Sequence, residues 1–285
     1  MRKIIVHESV LTAVFAMTVL LMLQFPIRSQ TWIYPLVRYV AQVKMNFVAR
    51  SMAVYETEHF IIKYEKQDAD VILLVAQAAE KAYQPVVREL GYTPHGKTMI
   101  FIYPDKQQLN QAFGWSGDQS AMGVYWGGAI QILSPKAWLS EVNAEEFIRS
   151  GPMVHEFTHL VFDYMTSGNY SRWFTEGLAQ YVEYKVNGYE WKTDSNSLNR
   201  DLYTMEELDK NFDKLSNQAL AYRESLMAIR YIGEVYGEAK LGEVINNLRK
   251  GQSLSSAIRE ALNMDYADFE TSWQNWAKIN VEHEK

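Results

Sequence analysis

The pentapeptide His-Glu-Phe-Thr-His at residues 155–159 constrains this chain more than any other feature. In an α-helix, residues four positions apart lie on one face, so both imidazoles can reach a single metal ion. Cysteine is absent, which excludes thiolate metal centres, disulfides and cysteine nucleophiles. Only six histidines occur in 285 residues. The spacing therefore predicts a helix that carries a metal site, and the alternative is a chance pair of exposed histidines.

A second segment, WFTEGLAQY at residues 173–181, can supply the third ligand that a catalytic zinc ion needs besides an open position for water. The motif helix can run to about Met165, and a glycine-containing turn then leads to a second helix that begins near Ser171. Antiparallel packing of the two helices would bring Glu176 beside the histidines, with Gly177 allowing their close approach. We expect one zinc ion bound by three side chains: His155, His159 and Glu176.

HEFTH followed by WFTEGLAQY resembles the gluzincin metallopeptidases, and most of all the bacterial membrane-associated group described as peptidase MA-like. The resemblance extends over roughly residues 55–280. It implies a zinc metallopeptidase that acts on peptide or protein substrates, with Glu156 as the general base that takes a proton from water and passes it to the leaving amine. It also implies that the strand at 129–133 is an edge strand that pairs with an extended peptide.

One departure from the gluzincin pattern concerns the support of the metal ligands. Some gluzincins have an acidic residue four positions after the ligand glutamate, where this chain has Gln180. Support for His155 or His159 must then come from elsewhere. Asp163, one turn beyond His159, is a candidate, and the alternative is that it is a solvated acid.

A later helix is expected to supply the donor that stabilises the tetrahedral oxyanion. In the segment Ala219–Met227, Tyr222 and Ser225 stand three residues apart and so share a helical face. Gluzincins often use a Tyr or His from a later helix for this purpose, and after His159 the only further histidine is His283, near the end of the chain. The resemblance therefore implies Tyr222 as a catalytic residue, and the alternative is a tyrosine that only packs in the core.

The order of strand-like and helix-like runs predicts an α+β fold. Runs typical of strands stand at 58–64, 97–103 and 129–133, runs typical of helices at 70–90 and 106–113, and from residue 144 onward nearly all signals are helical. We expect a metallopeptidase domain over residues 51–285. Its α/β part, 55–140, should contain a small mixed sheet, its helical part is 141–285, and the active-site cleft should lie between the two.

The N-terminal residues 1–50 predict a membrane anchor with a juxtamembrane amphipathic segment. Arg2 and Lys3 precede the uncharged run Val10–Leu23, which as a helix would span about 21 Å. Because a bilayer core is about 30 Å thick, this run fits an anchor that recruits flanking residues or a cleaved signal peptide, and a buried core helix is the third reading. We expect a retained single-pass anchor in the cell membrane, with the catalytic domain outside the cytoplasm.

The segment Thr31–Arg50 repeats apolar residues at helical spacing with basic residues interleaved. Such a helix can lie on an anionic bilayer surface or dock on the protein's own core, and the sequence leaves both open. Residues 1–50 carry six basic residues and one acidic residue, so of the total charge of −6 the remaining chain carries −11. An acidic body argues against a nucleic-acid partner.

Two other classes of function compete with the enzyme. The first is a catalytically inactive, zinc-stabilised binding module at the membrane, and the second is a helical interaction protein without metal. The presence of Glu156 favours the enzyme, because a purely structural site needs no base and is normally closed by a fourth ligand.

Overall fold

The computed structural model describes residues 27–115 and 121–282. The predicted anchor at Val10–Leu23 lies outside these residues. Within the described ranges, none of the helices combines the length and the apolar character that crossing a bilayer requires. The chain divides into two compact units, Met1–Gly168 and Asn169–Lys285.

The described part of the first unit contains five α-helices and five strands. In chain order they are α1 (Ile27–Val48), β1 (Ala53–Glu56), β2 (Phe60–Tyr64), α2 (Ile72–Leu90), β3 (Thr98–Tyr103), α3 (Lys106–Phe113), β4 (Gly123–Trp126), β5 (Ala129–Leu133), α4 (Ala144–Ser150) and α5 (Met153–Thr166).

The five strands form one mixed sheet in the order β1-β2-β3-β5-β4. Strands β2, β3 and β5 run parallel, and the two outer strands are antiparallel to their neighbours. All five residues of β5 are buried, which is typical of a central strand covered on both faces. The mixed sheet and the α+β class are thus confirmed.

The prediction that residues 129–133 form the edge strand is wrong. Strand β5 is hydrogen-bonded to β3 on one side and to β4 on the other, so its backbone has no free side for a peptide. The edge of the described sheet at this end is β4. It was missed because it is only four residues long and lies in a stretch rich in Gly and aromatic residues, without a clear alternation of polar and apolar positions.

The helix that carries the HEFTH motif is delimited by a proline at its start and by left-handed residues at its end. Pro152 precedes α5, and a proline is tolerated there because the first helical N–H groups have no intrahelical acceptor. The helix ends at Ser167, whose φ of 52° is left-handed, and Gly168 follows at φ 78°. Helix α6 then begins after Ser171, as the sequence predicts.

Helix α1 docks on the protein's own core along one face. Val40 and Ala41 are buried there, and the side chain of Gln42 donates a hydrogen bond to the carbonyl of Gly128 in the β4–β5 turn (2.9 Å). Three large apolar side chains of this helix are exposed to solvent: Leu36, Tyr39 and Val48, which are 56%, 63% and 68% exposed.

The described residues of the second unit form helices and connecting loops, without strands. Its α-helices are α6 (Arg172–Asn187), α7 (Met205–Asn211), α8 (Gln218–Tyr231), which continues into a π-helical turn (Ile232–Tyr236), α9 (Glu238–Arg249), α10 (Leu254–Leu262) and α11 (Tyr266–Glu282). Its core is built on large side chains with almost no exposure: Trp173, Phe174, Phe269 and Trp273.

Gly177 allows two helices of this unit to touch, but not the pair that the sequence suggested. A Cβ atom at Gly177 would overlap the backbone carbonyl of Ser225 and lie 2.8 Å from Cγ1 of Ile229. Both residues belong to α8, so the close approach is between α6 and α8. The interpretation that Gly177 serves the contact with the HEFTH helix is therefore wrong.

We predict that Gly177→Ala lowers the free energy of unfolding by about 1–3 kcal/mol or more, because the backbone of α8 must move away from the added methyl group. The control is Gly242→Ala in α9, where a Cβ meets nothing within 4 Å. Alanine there should stabilise the helix by about 0.5–1 kcal/mol. Chemical denaturation of the three proteins measures both effects, and equal stabilities would contradict the assignment.

Candidate metal centre

Two histidines and one glutamate form the only cluster among the described residues in which three such ligands could hold one metal ion. One ligand atom from each of His155, His159 and Glu176 can be chosen so that all three lie within 4.8 Å of one another. The histidines follow each other by one turn of α5, and their ring centroids are 4.8 Å apart with the planes at 78°. The i, i+4 spacing thus places both imidazoles at one end of a common face.

Glu176 lies on α6 and is only 2% exposed. A buried carboxylate needs a cationic partner, and Arg172, one turn earlier on the same helix, provides it with a distance of 2.9 Å from Nη2 to Oε1. Arg172 also approaches Asp213 at 3.5 Å. The sequence analysis did not single out Arg172, although its i, i+4 spacing from Glu176 was a usable signal.

The donor set fits a catalytic zinc ion. Two imidazole nitrogens and one carboxylate oxygen are ligands that zinc takes in hydrolytic enzymes, and three protein ligands leave one coordination position for water or substrate. His159 and Glu176 are both buried, so their orientation is held by packing.

Glu156 stands next to His155 in α5 and is 6% exposed. Its side chain packs against Gly123, the first residue of the edge strand β4: a Cβ atom at Gly123 would lie 2.7 Å from Cγ and 3.0 Å from Oε1 of Glu156. Only glycine therefore lets β4 come this close to the carboxylate. The sequence analysis did not connect Gly123 with Glu156.

Asp163 is fully buried, which rules out the solvated acid considered above. Its Oδ1 accepts a hydrogen bond from the Tyr34 hydroxyl (2.6 Å), and its Oδ2 accepts one from Arg38 (2.8 Å) and one from the Tyr125 hydroxyl (2.5 Å). Asp163 thus connects the HEFTH helix to α1 and to β4. Its predicted support of the histidines stays a prediction.

Tyr222 is half-buried on α8 and packs edge-on against Phe212, with ring centroids 5.4 Å apart. Its backbone carbonyl accepts a hydrogen bond from Gln180 (2.8 Å), whose amide also reaches the carbonyl of Glu176 (3.2 Å). Gln180, at the position where some gluzincins have an acidic residue, therefore connects α6 to α8 at Tyr222. The hydroxyl of Ser225 bonds within its own helix, to the carbonyl of Ala221 (2.7 Å). The catalytic role of Tyr222 stays a prediction.

The family model described as Peptidase MA superfamily matches residues 78–279. A crystal structure of an M1 zinc metallopeptidase mutant from Deinococcus radiodurans is similar at 12% sequence identity, with a TM-score of 0.47, over 78% of this chain and 50% of that chain. This chain thus spans half the length of the solved one. No curated protein matches the sequence.

A buried carboxyl group lies two residues after Tyr222. Glu224 has no exposed surface, and its two carboxyl oxygens accept the backbone N–H of Tyr203 at 3.1 and 3.2 Å. Burial raises its pKa to about 8, the Tyr203 hydrogen bond opposes the shift, and the nearby carboxylates of Glu207 and Glu270 add to it. The folded chain therefore favours the protonated form.

We predict that Glu224→Gln flattens the pH dependence of stability on the alkaline side. Between pH 4.5 and 8 the folded wild type binds more protons at this site than the unfolded chain, so its free energy of unfolding falls as pH rises. The amide keeps the hydrogen bond to Tyr203 and carries no charge. Chemical denaturation at pH 5 and pH 8 measures the decrease in the free energy of unfolding between the two pH values. This decrease should be smaller for Glu224→Gln than for the wild type, and Glu243→Gln, at an exposed position, serves as control. Equal decreases in all three would refute the effect.

Proposed function

The chain belongs to the Peptidase MA superfamily, and we therefore propose that it is a zinc-dependent metallopeptidase of the gluzincin type that hydrolyses peptide bonds in peptide or protein substrates. The observation that carries this proposal is the cluster of His155, His159 and Glu176, with Glu156 directly after His155 in the sequence. These are the ligands and the base that such a reaction needs.

The three side chains of the cluster would hold one zinc ion. When bound, the ion supplies polarisation of the scissile carbonyl and a water whose pKa is lowered to about 7. The ion pair with Arg172 orients Glu176 within its buried surroundings. Arg172 is thus a supporting residue of the proposed centre.

Glu156 would act as the general base. It follows His155 directly, so its side chain leaves the helix about 100° away from the histidine face. The packing against Gly123 holds its carboxylate at the end of β4. From this position it can accept a proton from water and return it to the leaving amine, the transfer that cleavage of a peptide bond requires.

An extended peptide would pair with β4. This strand forms the edge of the described sheet, and its first residue touches the base. Pairing along an edge uses the backbone of the peptide, with alternate side chains pointing to opposite faces. In this proposal, β4 and not the strand at residues 129–133 pairs with the extended peptide.

We predict that Glu156→Gln binds zinc normally and loses about 10²–10⁴-fold in kcat, because only the proton acceptor is removed. His159→Ala should instead lose stoichiometric zinc. The measurements are zinc per protein by elemental analysis and hydrolysis of casein.

The possible results test the ligands, the base and the peptidase activity separately. Full zinc content in His159→Ala would overturn the ligand assignment, and unchanged turnover in Glu156→Gln would overturn the base. A wild type that binds one zinc ion and cleaves no peptide would be the inactive, zinc-stabilised binding module.

Tyr222 is proposed as the donor to the oxyanion, with its phenol neutral near pH 7. We predict that Tyr222→Phe keeps zinc and fold but lowers kcat by about 10²–10³-fold. The matched control is Tyr92→Phe, in the loop after α2, which should leave kcat unchanged. An unaltered kcat in Tyr222→Phe would show that this ring only packs against its aromatic neighbours.

We further propose that the protein is a single-pass protein of the cell membrane with its peptidase part outside the cytoplasm. The basic and apolar character of residues 1–50 supports this placement, as do the exposed apolar side chains of α1 and the exposed Lys44 and Arg50.

Protease added to intact protoplasts should digest residues 51–285, whereas a cytoplasmic marker in the same cells stays intact until lysis. The reason is that Arg2 and Lys3 favour a cytoplasmic N-terminus ahead of the apolar run. Complete protection of the peptidase part before lysis would reverse the proposed topology.

A further inference from the structure

The polar side chains on the inner face of α1 converge on one buried carboxylate of the HEFTH helix. Tyr34 and Arg38 both donate hydrogen bonds to Asp163, at 2.6 and 2.8 Å. The guanidinium of Arg38 also lies over the ring of Tyr164, 3.7 Å from its centroid. One turn further on, Gln42 donates to the Tyr164 hydroxyl at 3.0 Å. The helix is therefore bound to α5 by a connected set of polar contacts as well as by apolar packing.

Arg38 is the cation that this carboxylate requires. Asp163 has no exposed surface, and the Arg38 side chain is 12% exposed. A buried carboxylate is stable only when it is paired and its oxygens are hydrogen-bonded. Tyr34 and Tyr125 add neutral donors, and only Arg38 among these three partners brings a positive charge.

The third donor to Asp163 comes from the edge strand. Tyr125 of β4 donates its hydroxyl proton to Oδ2 at 2.5 Å. Two residues earlier, Gly123 packs against Glu156. Residues two apart in a strand point to the same side, and residues seven apart in a helix lie on the same face two turns apart. The strand β4 therefore runs along α5, with one contact at the proposed base and another at Asp163.

Helix α1 also contacts the turn that joins β4 to β5. Gln42 donates to the carbonyl of Gly128 at 2.9 Å, and a Cβ atom at Gly127 would lie 2.8 Å from Cβ of Ala41. Gly128 leaves no room for a side chain beside Arg38. The edge strand β4 is thus held at two places: α1 contacts the turn that follows it, and Tyr125 within it is hydrogen-bonded to Asp163.

We propose that Arg38 is a positioning residue for the peptide-binding strand. By pairing with Asp163, it keeps the Tyr125 hydrogen bond in place and so sets the separation of β4 from Glu156. The inference rests on the proposed function, since it assigns to β4 the binding of an extended peptide. It gives α1, a helix outside the metal-binding motifs, a part in substrate binding.

The test compares Tyr125→Phe, Arg38→Met and the double variant in the full-length protein. Phenylalanine removes one hydroxyl and keeps the ring, so the fold should persist even where Arg38→Met is unstable. A hydrogen bond to a charged group contributes enough that its loss corresponds to about a tenfold change in an equilibrium constant or more. We expect KM for a fixed peptide to rise about tenfold in each single variant, with kcat within about twofold and zinc content unchanged.

Three further results would distinguish this positioning role from a general loss of stability. The backbone amides of residues 123–126 should exchange hydrogen about tenfold faster in both single variants. The double variant should be no worse than Arg38→Met alone, because the two residues act through one carboxylate. Arg38→Lys, which keeps the charge, should recover part of the wild-type KM. The control Lys44→Met, on the exposed side of the same helix, should change neither KM nor exchange.

The proposal is overturned if amide exchange in β4 is unchanged in Tyr125→Phe, or if its KM stays at the wild-type value while only thermal stability falls. Failure of the proposed function has another signature, namely a wild type that binds zinc and hydrolyses no peptide. In that event the exchange of residues 123–126 still decides the positioning role: faster exchange supports it, and unchanged exchange overturns it.

Discussion

The cost of burying carboxylates is the constraint on which the arrangement of this protein depends. Asp163 on α5 and Glu176 on α6 are both out of contact with solvent, and each has a guanidinium within 3 Å. An unpaired carboxylate in such surroundings would be unstable or would take up a proton. The partner of Asp163 comes from another element, so Arg38 fixes α1 against α5, whereas Glu176 is paired within its own helix by Arg172, one turn earlier.

The edge strand β4 links this electrostatic requirement to the proposed chemistry. It touches Glu156 through Gly123 and Asp163 through Tyr125, so its position depends on the same helix that carries the histidines. A peptide paired with β4 would be held by backbone hydrogen bonds whose geometry is inherited from the fold. In this proposal, substrate binding and the base are coupled through α5, because β4 contacts both Glu156 and Asp163.

Much of the fold followed from local signals. The HEFTH helix, the turn at Ser167-Gly168 and the start of α6 after Ser171 were predictable because caps, prolines and glycines act within a few residues of the helix ends. The two histidine ligands were predictable because residues four positions apart in a helix lie on the same face. The order of the sheet was not, since whether a strand lies at an edge depends on which strands pair, and β4 was too short to be recognised.

The sequence by itself determined the chemistry that is available: no thiols, six histidines, two of them on one helix face, and a glutamate between them. Only the tertiary structure decided which distant residues complete it. Arg38 and Asp163 are 125 positions apart, and Gly177 meets α8 rather than the HEFTH helix. The physical reason is that capping and helical periodicity act over a few residues, whereas the pairing of buried charges and the close approach of backbones depend on how the whole chain packs.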